Sequence, residues 1–284
     1  MTHPGDPPVA LSIAGSDSGS GAGVQADLKT MAALGVFAVT AITAVTAQNT
    51  AAVRSVHPVP AEMVEAQIDA VLDDLPVAAV KTGMLGTAEV AEMVARRAAA
   101  GDLPNLVVDP VMVASTGRAF LSAHGIEVYR SRLLPHALIT TPNLWEAAIL
   151  AGSDPSVTVD VDTMAELARR IHALGPAWVL VKGGHLPGVE STANAAAPEN
   201  VADVLFDGHR LTVLESPHVD TSNTHGTGCS LSAAIAALLA SGEDMATAVR
   251  AAKAFVHTAL VGSREWRLGR GHGPLDHLGW SGST

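Results

Sequence analysis

The chain reads Asp220-Thr-Ser-Asn-Thr-His-Gly-Thr-Gly-Cys229 and runs directly into Ser230-Leu-Ser-Ala-Ala-Ile-Ala-Ala-Leu-Leu-Ala240. Turn-forming polar residues, with two glycines one residue apart, give way to small and aliphatic ones. Leu231, Ile235, Leu238 and Leu239 recur at helical spacing and alanine is the best helix former, so a helix is expected over 230–240. A helix start leaves N–H groups without intrahelical partners and carries partial positive charge. Gly226 and Gly228 let the backbone turn those groups toward one point, which suits an anion or an oxygen becoming anionic. The single cysteine, Cys229, falls there, and a thiol at a helix N-terminus is expected to have a lowered pKa and to act as nucleophile or base. A small buried residue at a tight helix start is the plainer reading. With Asp220, Thr224, His225 and two glycines around it, the loop reads instead as a reaction centre.

At the other end of the chain, residues 9–14 form a short apolar run that reads as a buried strand. Gly15-Ser-Asp-Ser-Gly-Ser-Gly-Ala-Gly23 follows, then a helical pattern over 24–34 closed by Gly35. Strand, glycine loop and helix make a phosphate cradle in many folds, but a P-loop needs a terminal Gly-Lys-Ser/Thr that is absent here. The spacing Gly19, Gly21, Gly23 also misses the dinucleotide fingerprint. The loop remains a surface of close approach, with Asp17 and Asp27 as candidate hydrogen-bonding groups, or a structural tight turn.

Residues 37–45 read as the next strand, with Thr46 and Gln48 expected just past its end, where open α/β sheets bind ligands. The Gln48 amide offers donor and acceptor capacity enough to grip the polar edge of a ring, or it is an ordinary loop glutamine. Strands are expected over 77–80, 105–108, 137–141 and 178–181. They alternate with helices over 61–75, between Thr87 as N-cap and Gly101, over 162–175 and over 245–261. Several strands deliver polar residues at their ends: Asp109, then Asn143 and Glu146, then Lys182-Gly-Gly-His185. Asp109 reads as a holder of metal or phosphate, or as a loop cap. Asn143 and Glu146, three apart at a helix start, read as a capping box that would also aim the carboxylate. Residues 186–201 are expected to be a mobile loop. Residues 202–206 and 209–214, separated by Asp207-Gly208, are expected to form a hairpin with a type I′ turn.

Composition narrows the partners. A net charge of −11 over 284 residues argues against nucleic acid and anionic membrane. Phosphates would have to be held by backbone N–H groups, a few lysines or arginines and a metal ion. Apolar residues make up 48% but aromatics 3%, so the core is aliphatic. One cysteine excludes an intrachain disulfide. No signal peptide pattern and no bilayer-length apolar run is present, and a cytoplasmic location is expected. The strand–helix alternation implies a mostly parallel sheet in one domain over 1–284, with 1–8 flexible.

The run Asn223-Thr-His-Gly-Thr-Gly-Cys229 resembles the anion-hole signature of the ribokinase-like superfamily, in the branch of hydroxymethylpyrimidine and phosphomethylpyrimidine kinases. Residues 15–30 and Ala47-Gln-Asn-Thr50 are similar to that branch's substrate-loop signatures, and further matches run from Ala10 to His277. The resemblance implies a ribokinase-like three-layer αβα sandwich with a mostly parallel central sheet. It implies ATP-dependent phosphorylation of 4-amino-5-hydroxymethyl-2-methylpyrimidine and then of its monophosphate, in thiamine biosynthesis, by a homodimer.

By the same match Gly15, Ala22, Asp27, Thr46, Gln48, Met84 and Val111 line the pyrimidine pocket. Lys182, Asn143 and Thr227 meet ATP, and Glu146 and Asp109 serve Mg²⁺. Gly226, Gly228, Cys229 and Lys182 carry the transfer, with Cys229 as base for the first step. Position 46 is aliphatic in some members, and Gly117-Arg118 departs from the branch's Gly-Asp. A pyridoxal or pyridoxine kinase of the same branch and a non-catalytic pyrimidine-binding protein remain alternatives.

Overall fold

The structure is a computed structural model that describes residues 5–112, 121–154, 160–184 and 199–282. Among the described residues one nine-stranded sheet runs in the order β3-β2-β1-β4-β5-β6-β7-β8-β9. Its middle is parallel: β1 (Val9–Ser16), β2 (Phe37–Gln48), β4 (Val77–Thr82), β5 (Val107–Val108), β6 (Ile139–Thr140) and β7 (Trp178–Lys182). Antiparallel strands flank it, β3 (Val53–Pro58) on one side and the hairpin β8 (Asn200–Phe206) and β9 (Leu211–Pro217) on the other. A strand covered on both faces needs apolar residues at consecutive positions, and β1, reading Val-Ala-Leu-Ser-Ile-Ala-Gly, is buried along almost its whole length.

Two apolar layers cover the sheet. One holds α2 (Ala61–Leu72), α3 (Ala88–Ala100), α4 (Ala123–Val128), α5 (Leu144–Leu150) and α6 (Val161–His172). The other holds α1 (Gly23–Ala33), α7 (Thr227–Ala240) and α8 (Met245–Gly262). The three-layer sandwich is therefore observed. Helix α7 is buried nearly all round, and its alanines and serines let α1 and α8 approach closely. No helix among the described residues is long and apolar enough to cross a membrane.

Local chemistry explains most element ends. Thr87 accepts a hydrogen bond from the Val90 N–H, and Gly101 closes α3 at φ +83°. Asn143 and Glu146 form both halves of a capping box.

Other expectations need correction. Strand β2 runs on to Gln48, because β3 pairs with it over Ala44 to Gln48, so Thr46 and Gln48 lie within the strand. Strand β3 itself is absent from the sequence reading. Helix α2 stops at Leu72, three residues early. Helix α7 begins at Thr227, so Gly228 and Cys229 lie in its first turn. The expected type I′ turn is not formed. Four residues link β8 and β9, Gly208 alone has positive φ, and the Asp207 carboxylate accepts from the His209 and Arg210 N–H groups. Between Ser122 and His136 lie α4, a π-helical turn and a 3₁₀ turn that no periodicity announced. Of the loop expected over 186–201, residues 186–198 lie outside the described residues, as do His185 and the Gly117-Arg118 departure, while its last two residues are already strand, since β8 begins at Asn200.

Candidate active site

Six parallel strands end at one edge of the sheet, and their ends and the loops after them line a cleft of about 680 Å³. The cleft sits where the chain order reverses: β1 leads through α1 to β2 on one side, while its other neighbour, β4, is reached through α2. Gly15, Ala22, Thr46, Gln48, Met84, Val111, Asp109, Asn143, Glu146, Lys182, Gly226, Thr227, Gly228 and Cys229 all border it.

The cleft has a neutral end and a charged end. At the neutral end Met84 lies against Gly15, where a Cβ would come 2.3 Å from the methionine methyl and displace the tip of that side chain. Thr46 is buried and its hydroxyl donates to the Ser16 carbonyl at 2.9 Å, which leaves it a structural tie beside the pocket. The Gln48 backbone is held on both sides by the Ser18 hydroxyl, at 2.7 and 2.8 Å.

Asp17 organises the glycine loop. Its carboxylate accepts from the N–H groups of Gly19 (2.8 Å), Gly21 (3.1 Å) and Ala22 (2.9 Å) and from His225 Nε2 (2.9 Å). Burial works against the charge, but these donors, His225 first, hold the carboxyl below the ordinary range. The glycine loop and the Gly226 turn are packed backbone to backbone: Gly226 has φ +88°, and a Cβ there would fall 1.8 Å from the Gly21 carbonyl. A side chain at 226 would drive the two loops apart.

The charged end starts at the first turn of α7. A Cβ on Gly228 would lie 3.1 Å from Lys182 Nζ, so the bare backbone lets the ammonium reach the helix start. Lys182 in turn meets Asp109 at 3.1 Å. The Thr141 and Ser232 hydroxyls donate to the two Asp109 oxygens, each at 3.3 Å. Burial disfavours the Lys182 charge, yet Asp109 and Glu146 more than offset it and hold its pKa above the usual value. Burial pushes Glu146 up to about 7, against the pull of Lys182 and with Asp109 adding repulsion. Two carboxylates thus share one ammonium, and one of them is ready to be neutralised. That donor set fits a hard divalent cation that takes its other ligands from water and phosphate. No cluster of three protein ligands exists among the described residues.

Two expectations change here. The Cys229 thiol borders the cleft, but its pKa is not lowered: burial pushes it up to about 11, with Lys81 and the Gly23 N–H opposing and Asp27 and Asp109 reinforcing. Desolvation outweighs the helix start. Asp27, expected on the pocket wall, does not border the cleft. It is fully buried beneath it, bonded to Lys81 Nζ at 2.8 and 3.0 Å and to the Ser12 hydroxyl at 2.6 Å. Burial alone would lower the Lys81 pKa, but Asp27 lifts it above the usual value.

The sequence reading also passed over Lys81, His225 as a side chain, and the Lys253–Asp203 pair (2.6 Å), whose Asp203 also accepts from the Gly183 N–H. Lys81 did carry a signal, a lysine at a strand end two residues before a glycine, as at Lys182.

Comparison with known proteins now adds to the geometry. The sequence profile of the phosphomethylpyrimidine kinase family matches residues 17–276. The chain belongs to that family. It is similar to the hydroxymethylpyrimidine/phosphomethylpyrimidine kinase of Streptomyces coelicolor, 47% identical over 99% of this chain and 97% of that protein. In three dimensions it is similar to an ADP complex of Bacillus subtilis pyridoxal kinase, with a TM-score of 0.83 at 39% identity over 96% of this chain and 98% of the other. The phosphomethylpyrimidine kinase of Clostridium difficile gives 0.74 at 36% identity over 89% and 99%. The fold is thus that of the ribokinase-like kinases, and the chain is a phosphotransferase of this family.

Proposed function

We propose that this protein transfers the γ-phosphoryl group of ATP to the hydroxyl of 4-amino-5-hydroxymethyl-2-methylpyrimidine, and then a second phosphoryl group to the monophosphate. The observation that carries this is the meeting of the α7 start, Lys182 and the Asp109–Glu146 pair at one end of a cleft whose other end presents Gln48 and Met84.

Phosphoryl transfer is chiefly a matter of positioning and charge stabilisation. The N–H groups of the first turn, from Gly226 to Cys229, would hold the oxygens of the group in flight. Lys182 would add positive charge beside them, and Asn143 and Thr227 would border the rest of the ATP phosphates. Glu146 and Asp109 would hold Mg²⁺, which when bound neutralises phosphate charge. Gly15, Ala22, Met84 and Val111 would wall the ring, with Thr46 and Asp27 as supports and Gln48 reading the ring edge.

A thiol with a pKa of about 11 is almost wholly protonated at neutral pH. That suits the second transfer, in which the attacking phosphate oxygen needs no base and a fixed carboxylate would repel it. For the first transfer Cys229 would accept the hydroxyl proton only in its thiolate form. The same proposal takes the chain as one catalytic domain, cytoplasmic, acting as a homodimer. Exposed Val45 and Met63, beside the open edge of β3, support the last point.

The likeness to the Bacillus subtilis pyridoxal kinase favours a second reading, phosphorylation of pyridoxal. A mass-resolved assay with Mg-ATP decides between them. Monophosphate and then pyrophosphate from the pyrimidine is the expected result, and phosphate on pyridoxal alone would move the substrate to the vitamin B6 ring.

A further inference from the structure

The Gln48 side-chain amide approaches His225 Nε2 at 3.2 Å through its own nitrogen. The same imidazole nitrogen lies 2.9 Å from Asp17 Oδ2. Asp17 already accepts from three backbone N–H groups and is ionised at neutral pH, so the nitrogen facing it must carry the proton. His225 therefore carries a proton on Nε2. An N–H directed at Asp17 cannot accept from the Gln48 NH₂, and two donors facing each other repel. Turning the Gln48 amide over removes the conflict: Oε1 then rests against the His225 N–H and the NH₂ is released into the cleft.

The imidazole packs closely on the glycine loop. A Cβ on Gly21 would sit 2.2 Å from His225 Cδ2, so the ring is seated directly on that glycine. Its backbone N–H is tied to the Gly273 carbonyl at 3.1 Å. The Gln48 backbone is fixed through Ser18.

We propose that His225, held by Asp17, is a positioning residue that turns the NH₂ of Gln48 toward the substrate, so that the cleft selects a ring edge carrying a hydrogen-bond acceptor. This rests on the reading of Gln48 as the ring-recognising group. An uncharged pyrimidine ring nitrogen accepts from that NH₂. A pyridinium ring, with its own N–H, presents a second donor and is disfavoured. The geometry thus assigns part of the pyrimidine-over-pyridoxal choice to a pair of residues that need not touch either ring.

The test measures kcat and KM for hydroxymethylpyrimidine and for pyridoxal in the wild type, His225→Phe and His225→Gln. Phenylalanine keeps the ring and removes the donor. It should raise KM for the pyrimidine about tenfold and reduce the pyrimidine-to-pyridoxal preference by a similar factor, the worth of one ordinary hydrogen bond. KM for ATP and kcat should stay within about twofold. Glutamine can place an N–H near the position of Nε2, and His225→Gln should restore the preference.

An unchanged preference in His225→Phe would overturn the proposal, as would an equal fall of kcat with both substrates, which would mean that the ring only props the α7 loop. Nitrogen-15 NMR of the wild type reads the tautomer without any variant: a proton on Nε2 is expected, and a proton on Nδ1 alone overturns the inference. A wild type that phosphorylates neither ring would defeat the functional reading instead, and the tautomer measurement would still decide this one.

Discussion

Two buried lysine–aspartate pairs act electrostatically on Cys229, and they differ in how they are closed. Lys81 and Asp27 have no exposed side-chain surface, although Lys81 lies against the cleft floor. Asp27 also takes the Ser12 hydroxyl, and its two oxygens share the Lys81 ammonium. Lys182 and Asp109 are nearly as enclosed, but 14% of the lysine side chain faces the cleft, and a second carboxylate, Glu146, acts on it as well. The first pair is closed on itself. The second is unbalanced, open at one side and short of positive charge, which is the condition under which a phosphate–metal complex finds a partner. Burial and ion pairing alone therefore do not mark a site; the free side and the uncompensated charge do.

The comparison breaks if the pairs respond alike to loss of a lysine. Lys81→Met should leave Asp27 buried without its cation and cost about 3–5 kcal/mol of stability, measured by denaturant unfolding. Combining it with Asp27→Leu should recover most of that loss, since an apolar pair removes the uncompensated charge. A single variant as stable as the wild type would mean that the pair is not structural.

Lys182→Met should show the opposite pattern. Removing one stabilising charge from the transferring group should lower kcat by about 10²–10³-fold, equivalent to about 2.7–4 kcal/mol. Its melting temperature should move little. A large loss of stability with catalysis preserved would reverse the assignment of the two pairs.

Cys229 lies in the field of both pairs and sharpens the distinction. With its thiol pushed up to about 11, the first transfer should accelerate with pH through the range 7–10 if the thiolate is the base, whereas the second should not follow it. Cys229→Asp should spare the first transfer and depress the second by about tenfold or more, roughly 1.4 kcal/mol of added repulsion. Equal loss of both would remove the case for a neutral group at this position.

The smallest effect concerns Glu146. Its carboxyl, pushed up to about 7, is charged above that value and neutral below it. The charged fraction falls about tenfold between pH 8 and pH 6, so the Mg²⁺ concentration needed for half-maximal rate should rise by about the same factor. Glu146→Gln should abolish that dependence. A Mg²⁺ requirement that ignores pH in the wild type would place the metal away from Glu146.

Much of the architecture was legible because it is written over short distances. The all-apolar β1, the Thr87 cap with Gly101, the Asn143–Glu146 box and the Gly226 turn into α7 each depend on residues within one element or its immediate flanks. Strand β3 was not legible, since Val53-Arg-Ser-Val-His-Pro58 is mostly exposed and short of apolar residues; pairing with the far end of β2 makes it a strand. The hairpin turn was misread because Asp207-Gly208 suits a type I′ turn in isolation, while the Asp207 carboxylate accepts from the His209 and Arg210 N–H groups instead.

Composition and motif, with the family they resemble, thus determined a mostly parallel sheet, a glycine turn into a helix start, and fourteen of the residues that border the cleft. Only the tertiary structure decided which charge meets which. Lys81 finds Asp27 across 54 residues, Lys182 finds Asp109 across 73, and His225 finds Asp17 across 208. Those partners are chosen by the order of strands in the sheet, which brings distant loops to one edge. The degree of burial at that edge then turned the expected reactive thiol of Cys229 into a neutral one and Asp27 from a pocket residue into a foundation. Desolvation is a property of the assembled surroundings, so no local pattern announces it.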